Sequence, residues 1–157
     1  MPTWKVHRRI GMSGGLITRA IVSEIEGELS PETVERVKKQ HTLEYERLLA
    51  GVRPLPGAKE LLLSLTHSSV PWIIATSARA ANARPTLARM GFPSLDVMIT
   101  REDVERAKPD RDLFLAAAPR LNVPITNTLV VGDSVWDILA ARRAGALGVG
   151  LLTGGYG

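Results

Sequence analysis

Residues 128–145 read TLVVGDSVWDILAARRAG, and this stretch decides the fold. Its first five residues form a short apolar run that ends in glycine, which is typical of a strand buried in a parallel sheet. The residues that follow have helical apolar spacing and stop at Gly145, a residue suited to the C-terminal end of a helix. The stretch therefore predicts a strand over 128–132 and a helix over 134–145, joined by a tight turn at Gly132.

The same alternation extends over residues 58–153. Short apolar runs predict further strands over 70–76, 95–100 and 147–153, and amphipathic spacing predicts helices over 58–65, 78–91 and 110–122. Within the second of these helices, Pro85 predicts a kink or a late start. Strands that alternate with helices favour an α/β fold with a Rossmann-like parallel sheet and helices on both of its faces.

The first fifty residues have a different, all-helical pattern. Apolar spacing predicts a helix over 16–29, and the sequence SPET at residues 30–33 is a helix start that leads to an end near Gly51. The segment VRPLPGA, residues 52–58, is rich in proline and is read as a hinge. We therefore predict a helical unit over 1–51 and an α/β unit over 52–157.

Composition excludes several classes of protein. The 157 residues contain no cysteine, so a disulfide scaffold, a thiolate zinc site and a cysteine nucleophile are excluded. The net charge is +4, but there is no run of five like charges and only 4% of residues are aromatic, which argues against a nucleic-acid partner. No apolar run approaches the ~20 residues of a membrane span, and the first residues lack the apolar core of a signal peptide, so we expect a cytoplasmic protein.

Asp133 and Asp137 follow the strand predicted over 128–132, and two interpretations of them stay open. Asp133 suits the N-cap of the next helix, with Asp137 on the solvated face of that helix. Alternatively, the two carboxylates, one helical turn apart, hold a hard cation such as Mg²⁺, which binds one or two carboxylates and leaves positions for water and phosphate oxygens.

Other polar groups are predicted to lie near these acids, because the carboxyl ends of parallel strands form one edge of a sheet. Thr76 and Ser77 end the strand predicted over 70–76, where their hydroxyls suit either a phosphate or an ordinary helix cap. Lys108 precedes Pro109, which disfavours helix at Lys108 and places it in a loop. From that loop its ammonium can reach the same crevice.

Three motifs together carry a resemblance to a known family. A hydroxyl at a strand end, then AKPDRDLF at 107–114, then VVGDSVWDILAARRAG at 130–145 resemble the second, third and fourth motifs of the haloacid dehalogenase-like hydrolases. The likeness is to the branch that includes phosphoglycolate phosphatases and β-phosphoglucomutase. Residues 1–51 look like part of that branch's all-helical cap, and residues 52–157 look like part of its α/β core.

The resemblance implies a function and a set of site residues. It implies a magnesium-dependent phosphatase that acts on a small phosphorylated metabolite through an aspartyl-phosphate. Thr76, with Ser77 beside it, would bind the transferring phosphoryl group, and Lys108 would neutralise phosphate charge. Asp133 would ligate Mg²⁺, and Asp137 would support the metal site directly or through water.

One departure from the family pattern affects these expectations. The family's nucleophile is an aspartate in a DxDGT-like motif, and none of the six aspartates opens such a motif; they are Asp96, Asp103, Asp110, Asp112, Asp133 and Asp137. In the family sheet, the strand that carries it lies between the strands predicted here over 70–76 and 128–132. We therefore expect a core without its central first strand, truncated at the N-terminus and also at the C-terminus.

Three consequences follow from this departure. The chain alone is expected to be inactive, and an exposed strand edge is expected to favour self-association, since unpaired backbone groups seek partners. A phosphosugar mutase is the alternative within the family, although Gly14 and Gly15 stand where the mutase-like cap has a basic residue. A non-catalytic protein that keeps a phosphate or Mg²⁺ site is the alternative outside enzymes.

Overall fold

Helices and short strands alternate along the chain in the computed structural model, which describes residues 2–24, 30–92 and 95–155. The helical part precedes a mixed part, as the sequence predicts. In the described residues the α-helices are α1 Thr3–His7, α2 Gly14–Val22, α3 Pro31–Leu49, α4 Ala58–His67, α5 Ala80–Arg89, α6 Asp112–Arg120 and α7 Val135–Ala144. The strands are β1 Ile74–Ala75, β2 Met98–Ile99, β3 Leu129–Gly132 and β4 Leu147–Gly150.

The helix start predicted at residues 30–33 is confirmed, whereas the preceding helix ends early. The hydroxyl of Ser30 accepts a hydrogen bond from the Thr33 backbone N–H at 3.2 Å, and α3 begins at Pro31. The prediction of a helix over 16–29 is wrong in its end, since α2 stops at Val22; its last part, 25–29, lies outside the described residues. The Ser23 hydroxyl bonds the Ala20 carbonyl, a local bond that competes with the helical ladder.

The strands form two parallel ladders. Strand β1 pairs with β2, in the register Ile74↔Met98. Strand β3 pairs with β4 over four residues, in the register Leu129↔Leu147. Within the described residues no ladder joins β1 to β3, so the sheet is split where the sequence analysis expects a central strand to be absent. The predicted parallel α/β arrangement is confirmed.

The ladders are shorter than the predicted strands. The strands expected over 70–76, 95–100 and 147–153 pair only over Ile74–Ala75, Met98–Ile99 and Leu147–Gly150. The flanking residues turn instead: 95–97 and 152–154 form single 3₁₀ turns. Pro85 lies inside α5, so the prediction of a late start at this residue is wrong.

The core lies between the ladders and helices α6 and α7. Leu113 of α6 is fully buried against Ile99 and Ala107. Its neighbour Phe114 packs on the alanines of α7, and the same cluster receives Ala75 from β1 and Val130 from β3. Strands β1 and β3, which do not pair with each other in the described residues, therefore rest on one shared helical layer.

The opposite face of the β3–β4 ladder is apolar and open. Leu129 is 57% exposed and Leu147 is 67% exposed, and Val131 and Val149 are also exposed. Alternation along a strand places these side chains on the face away from α7. In the described part of the chain no helix is long and apolar enough to cross a membrane.

Candidate active site at the carboxyl ends of strands β1 and β3

The fold brings the predicted site residues to the carboxyl ends of β1 and β3. Lys108, in the loop before α6, connects the end of β1 with the first turn of α7. Its ammonium donates to Oδ1 of Asp137 at 2.7 Å and makes a longer contact, 3.4 Å, with the Ala75 carbonyl at the end of β1. The convergence that the sequence predicts for Lys108 and Asp137 is therefore present, as a direct ion pair.

The Lys108–Asp137 pair is buried, with the two residues 8% and 7% exposed. Taking two charges out of water is costly unless each keeps its hydrogen bonds. Oδ2 of Asp137 accepts from the Ser134 backbone N–H at 3.0 Å and from the Ser134 hydroxyl at 2.6 Å. The interpretation of Asp137 as part of a solvated helix face is wrong, because both carboxylate oxygens are engaged inside the protein.

Ser134 is the N-cap of α7. Its hydroxyl accepts from the Asp137 backbone N–H at 3.3 Å, and the two residues form a reciprocal capping box. The interpretation of Asp133 as the N-cap is therefore wrong by one residue. Asp133 is exposed, and its carboxylate makes no hydrogen bond or ion pair with the described residues.

Gly132 leaves room for the carboxylate of Asp137 because it has no side chain. The sequence assigns it to a tight turn, but its backbone is not among those with a positive φ. A Cβ at this position would collide with Cβ and Cγ of Asp137. Because glycine has no side chain, the Asp137 carboxylate can fold back against the end of β3.

Thr76 and Ser77 lie at the end of β1, and neither caps a helix. Thr76 Oγ1 accepts from the Ala78 N–H at 3.1 Å, while the N-cap position of α5 belongs to Arg79, so the helix-cap interpretation is wrong. Ser77 is 8% exposed, and its hydroxyl oxygen has no hydrogen-bond partner among the described residues. A buried hydroxyl without a partner costs free energy, which a ligand oxygen would recover.

A cavity of about 430 Å³ opens beside Asp133. It is lined by Asp133 and Ser134 on one side and by Ile138, Arg142 and Leu151 on the other. It lies on the β4 side of Asp133, and Lys108 and Thr76 do not line it. Asp133, which is exposed, thus borders open space that a ligand can enter.

The donor set fits a magnesium ion held mainly by water and ligand oxygens. Mg²⁺ is usually bound through one or two carboxylates, with water and phosphate oxygens in the remaining positions. Asp133 offers two free oxygens, whereas those of Asp137 are occupied. In the residues that the structure describes, no group of three or more histidine, cysteine or acidic residues could hold a metal, so an all-protein cage does not fit.

Neither the Ser134 cap nor the contact that Trp136 makes was predicted from the sequence. The signal for Ser134 was present, since SVWD at 134–137 has the spacing of a capping box. The indole N–H of Trp136 donates to the Arg8 carbonyl at 2.8 Å. No local pattern could have named that partner, which lies 128 residues earlier.

Comparison with known proteins agrees with this geometry. The model of the haloacid dehalogenase-like hydrolases matches residues 8–145. The chain belongs to the haloacid dehalogenase-like hydrolases. A crystal structure of a hydrolase from Pseudomonas syringae superposes with a TM-score of 0.93 at 44% identity, covering 100% of this chain and 72% of that one.

Two curated proteins to which this hydrolase family member is similar are named as phosphatases. The validoxylamine A 7'-phosphate phosphatase of Streptomyces hygroscopicus subsp. limoneus is 42% identical over 98 residues, 62% of this chain and 46% of that protein. A phosphoglycolate phosphatase of Neisseria gonorrhoeae is 30% identical over 146 residues, 92% of this chain and 61% of that protein. The chain therefore spans less than two thirds of the length of either relative. The predicted branch of the family, which includes phosphoglycolate phosphatases, is confirmed.

Proposed function

We propose that this chain carries the metal- and phosphate-binding part of a magnesium-dependent phosphatase for a small phosphorylated metabolite. The observation that supports it most is the buried Lys108–Asp137 pair beside the free carboxylate of Asp133. An ion pair that only stabilises the fold would account for Lys108 and Asp137. It would not account for Asp133, whose carboxylate has no partner in the described residues and lies at the carboxyl end of the parallel strand β3. That edge of an α/β sheet is where ligands bind.

Lys108 has a donor left for a phosphoryl oxygen. An ammonium has three N–H groups, and two of them point to Asp137 and to the Ala75 carbonyl. We infer that the third meets the substrate, with hydrogen bonds from the hydroxyls of Thr76 and Ser77. Asp137 then acts as the support that orients Lys108.

Charge balance makes a cation at Asp133 necessary for this role. Lys108 and Asp137 cancel each other, so Asp133 and a phosphate dianion would repel one another if nothing else were present. A magnesium ion bound there would supply the positive charge that offsets the phosphoryl oxygens. Asp133 would hold it, while Ser134 and Gly132 fix the backbone of Asp133.

The family reaction needs a nucleophilic carboxylate in addition to these groups. Its oxygen attacks phosphorus as the ester P–O bond breaks, and the leaving oxygen takes a proton. Water then attacks phosphorus, the P–O bond to the carboxylate breaks, and inorganic phosphate leaves. We propose that this carboxylate belongs to a further strand segment that would occupy the place between β1 and β3 in the sheet. We also propose that residues 1–157 alone do not hydrolyse phosphate esters by this route.

The relatives support a substrate class, since their names describe the phosphate esters of validoxylamine A and glycolate. We propose a small hydroxylated phosphate ester. A Cβ at Gly14 or Gly15 would meet no atom within 4 Å, so packing does not demand glycine there. The absence of a basic side chain at these positions supports hydrolysis over phosphosugar transfer.

Binding of inorganic phosphate with Mg²⁺, followed by ³¹P NMR, tests the phosphoryl site. Ser77→Ala and Thr76→Val should each weaken binding ~5-fold or more, since each removes one hydrogen bond to a charged ligand. Lys38→Met, which removes an exposed cation of α3, should leave binding unchanged. Equal binding by all four proteins would contradict the assignment.

Turnover by the purified chain tests the second part of the proposal. Residues 1–157 should show no Mg²⁺-dependent hydrolysis of p-nitrophenyl phosphate. Robust hydrolysis that disappears in Asp133→Ala would show that the chain supplies its own nucleophile, and would overturn this part.

A further inference from the structure

The N-terminal segment 2–13 lies across the start of α7. Besides the bond from Trp136 to the Arg8 carbonyl, Nε2 of His7 donates to the Gly154 carbonyl at 2.8 Å. Gly11 lies against the side chains of Ser134 and Trp136. These contacts connect the helical part of the chain to the turn that holds Asp133.

Gly11 is required at this contact for two reasons. Its φ is +98°, a left-handed conformation that strains other residues. A Cβ would collide with the Ser134 hydroxyl, and it would lie 2.9 Å from Ser134 Cβ and 3.5 Å from Trp136 Cδ1. The backbone of the segment therefore approaches Ser134 more closely than any side chain would allow.

Trp136 donates a hydrogen bond to a backbone carbonyl that has no partner within helix α1. Arg8 is the C-cap of α1, and the last carbonyls of a helix have no partner within the helix. The indole N–H, which is a donor only, reaches this carbonyl from the first turn of α7. The segment is therefore held by a directional bond as well as by the close contact at Gly11.

The contact continues into the candidate site through Ser134. The Ser134 hydroxyl donates to Oδ2 of Asp137, whose Oδ1 holds Lys108. We propose that Gly11 and Trp136 are positioning residues: they dock segment 2–13 on Ser134, and docking is coupled to the geometry of the Asp133 site. The coupling, though not the docking, rests on the proposed function.

Amide hydrogen exchange on the intact chain tests the docking. Amides at Arg8, Arg9, Ile10 and Met12 donate within the segment. Their exchange should become ~5-fold faster or more in Trp136→Phe and in Gly11→Ala.

Two matched controls separate docking from other effects. Gly57→Ala places the same strain at φ +81°, where no atom lies within 4 Å, and Trp72→Phe removes an indole bonded only to Thr66 in the described residues.

The controls should leave exchange in segment 2–13 unchanged. Exchange that is equally slow in wild type, Gly11→Ala and Trp136→Phe would overturn the docking proposal. So would an increase of the same size in Gly57→Ala, because that increase would reflect general destabilisation.

Calorimetric titration with Mg²⁺ tests the coupling. By thermodynamic linkage, a segment that docks more favourably when Mg²⁺ is bound than when the site is empty raises the affinity of the site for Mg²⁺. Gly11→Ala should bind Mg²⁺ ~3-fold or more weakly, while Gly57→Ala binds as wild type does. Disrupted docking with unchanged Mg²⁺ affinity would overturn the coupling. If wild type binds no Mg²⁺, the proposed function and the coupling fail together, and exchange still decides the docking.

Discussion

Lys108 shows how one residue connects stability with the proposed chemistry. It is buried, and Asp137 is its ion-pair partner. Lys108→Met should lower the free energy of unfolding by ~3–5 kcal/mol, because it leaves a buried carboxylate without its cation. Urea denaturation measures this loss.

Two comparisons make the Lys108 prediction specific. Lys38→Met breaks an exposed pair with Glu35 and should cost less than ~0.5 kcal/mol. The double variant Lys108→Met/Asp137→Leu should recover part of the loss, since replacing a buried pair by apolar residues is often tolerated. A loss equal to that of Lys38→Met would show that the pair is not buried in solution.

Ser134 and Ser30 are helix caps that differ in their surroundings. Ser30→Ala should cost ~1 kcal/mol, the usual value for a cap. Ser134→Ala should cost ~2 kcal/mol or more, because it also removes the hydroxyl bonded to the buried Asp137. Thermal unfolding of both variants gives the comparison. Equal losses would mean that Ser134 does nothing for Asp137 beyond capping.

At the residue scale, the sequence predicted part of the site. The predicted strand ends bring Thr76 and Asp133 to the candidate site, and Pro109 predicts a loop from which Lys108 can reach it. The sequence could not predict which carboxylate is buried and paired and which is exposed. That difference depends on the ion pair between Lys108 and Asp137, which lie 29 positions apart. Local spacing treats Asp133 and Asp137 alike, whereas the fold buries one and exposes the other.

At the scale of elements, the turn after β2 predicts a pH dependence. Asp103 accepts hydrogen bonds at 2.7 Å from both the N–H and the hydroxyl of Thr100, and these bonds lower the pKa of Asp103 below its ordinary 3.8. A lowered pKa in the folded state contributes stability that is present above the unfolded pKa. That stability is lost as the pH falls through the folded value.

Asp103→Asn should therefore flatten the acid side of the stability curve. Chemical denaturation at a series of pH values from about 5 downward measures it. The variant should lose stability less steeply than wild type as the pH falls. Parallel curves for the two proteins would contradict the contribution of this carboxylate.

Element order was predictable and element length was not. The helix start at Ser30 and the end of α7 at Gly145, with its φ of +85°, follow from local chemistry that any sequence displays. Strand length depends on the partner. Residues 70–75 are apolar throughout, but only Ile74 and Ala75 have a neighbour in the described ladders. The two short ladders reflect this missing pairing.

At the scale of the whole molecule, open apolar surface predicts self-association. Leu129, Val131 and Leu147 are exposed on one face of the β3–β4 ladder, and no ladder in the described residues pairs the facing edges of β1 and β3. Exposed edges and apolar faces favour pairing with another chain. Light scattering after size exclusion should show a mass that rises with concentration.

Charged variants should locate the surface responsible for self-association. Val131→Lys should shift the protein toward monomer, while Leu48→Lys, on exposed α3, should not. A clean monomer for wild type at all concentrations would contradict the prediction.

Asp133 is proposed to hold a cation near the Lys108–Asp137 pair, and Mg²⁺ titration of residues 1–157 by calorimetry tests this role most directly. Wild type should show one saturable site. Asp133→Asn should bind ~10-fold or more weakly, because it removes the free carboxylate. Glu46→Gln, which removes an exposed charge on α3, should bind as wild type does. Identical isotherms for wild type and Asp133→Asn would contradict the central claim.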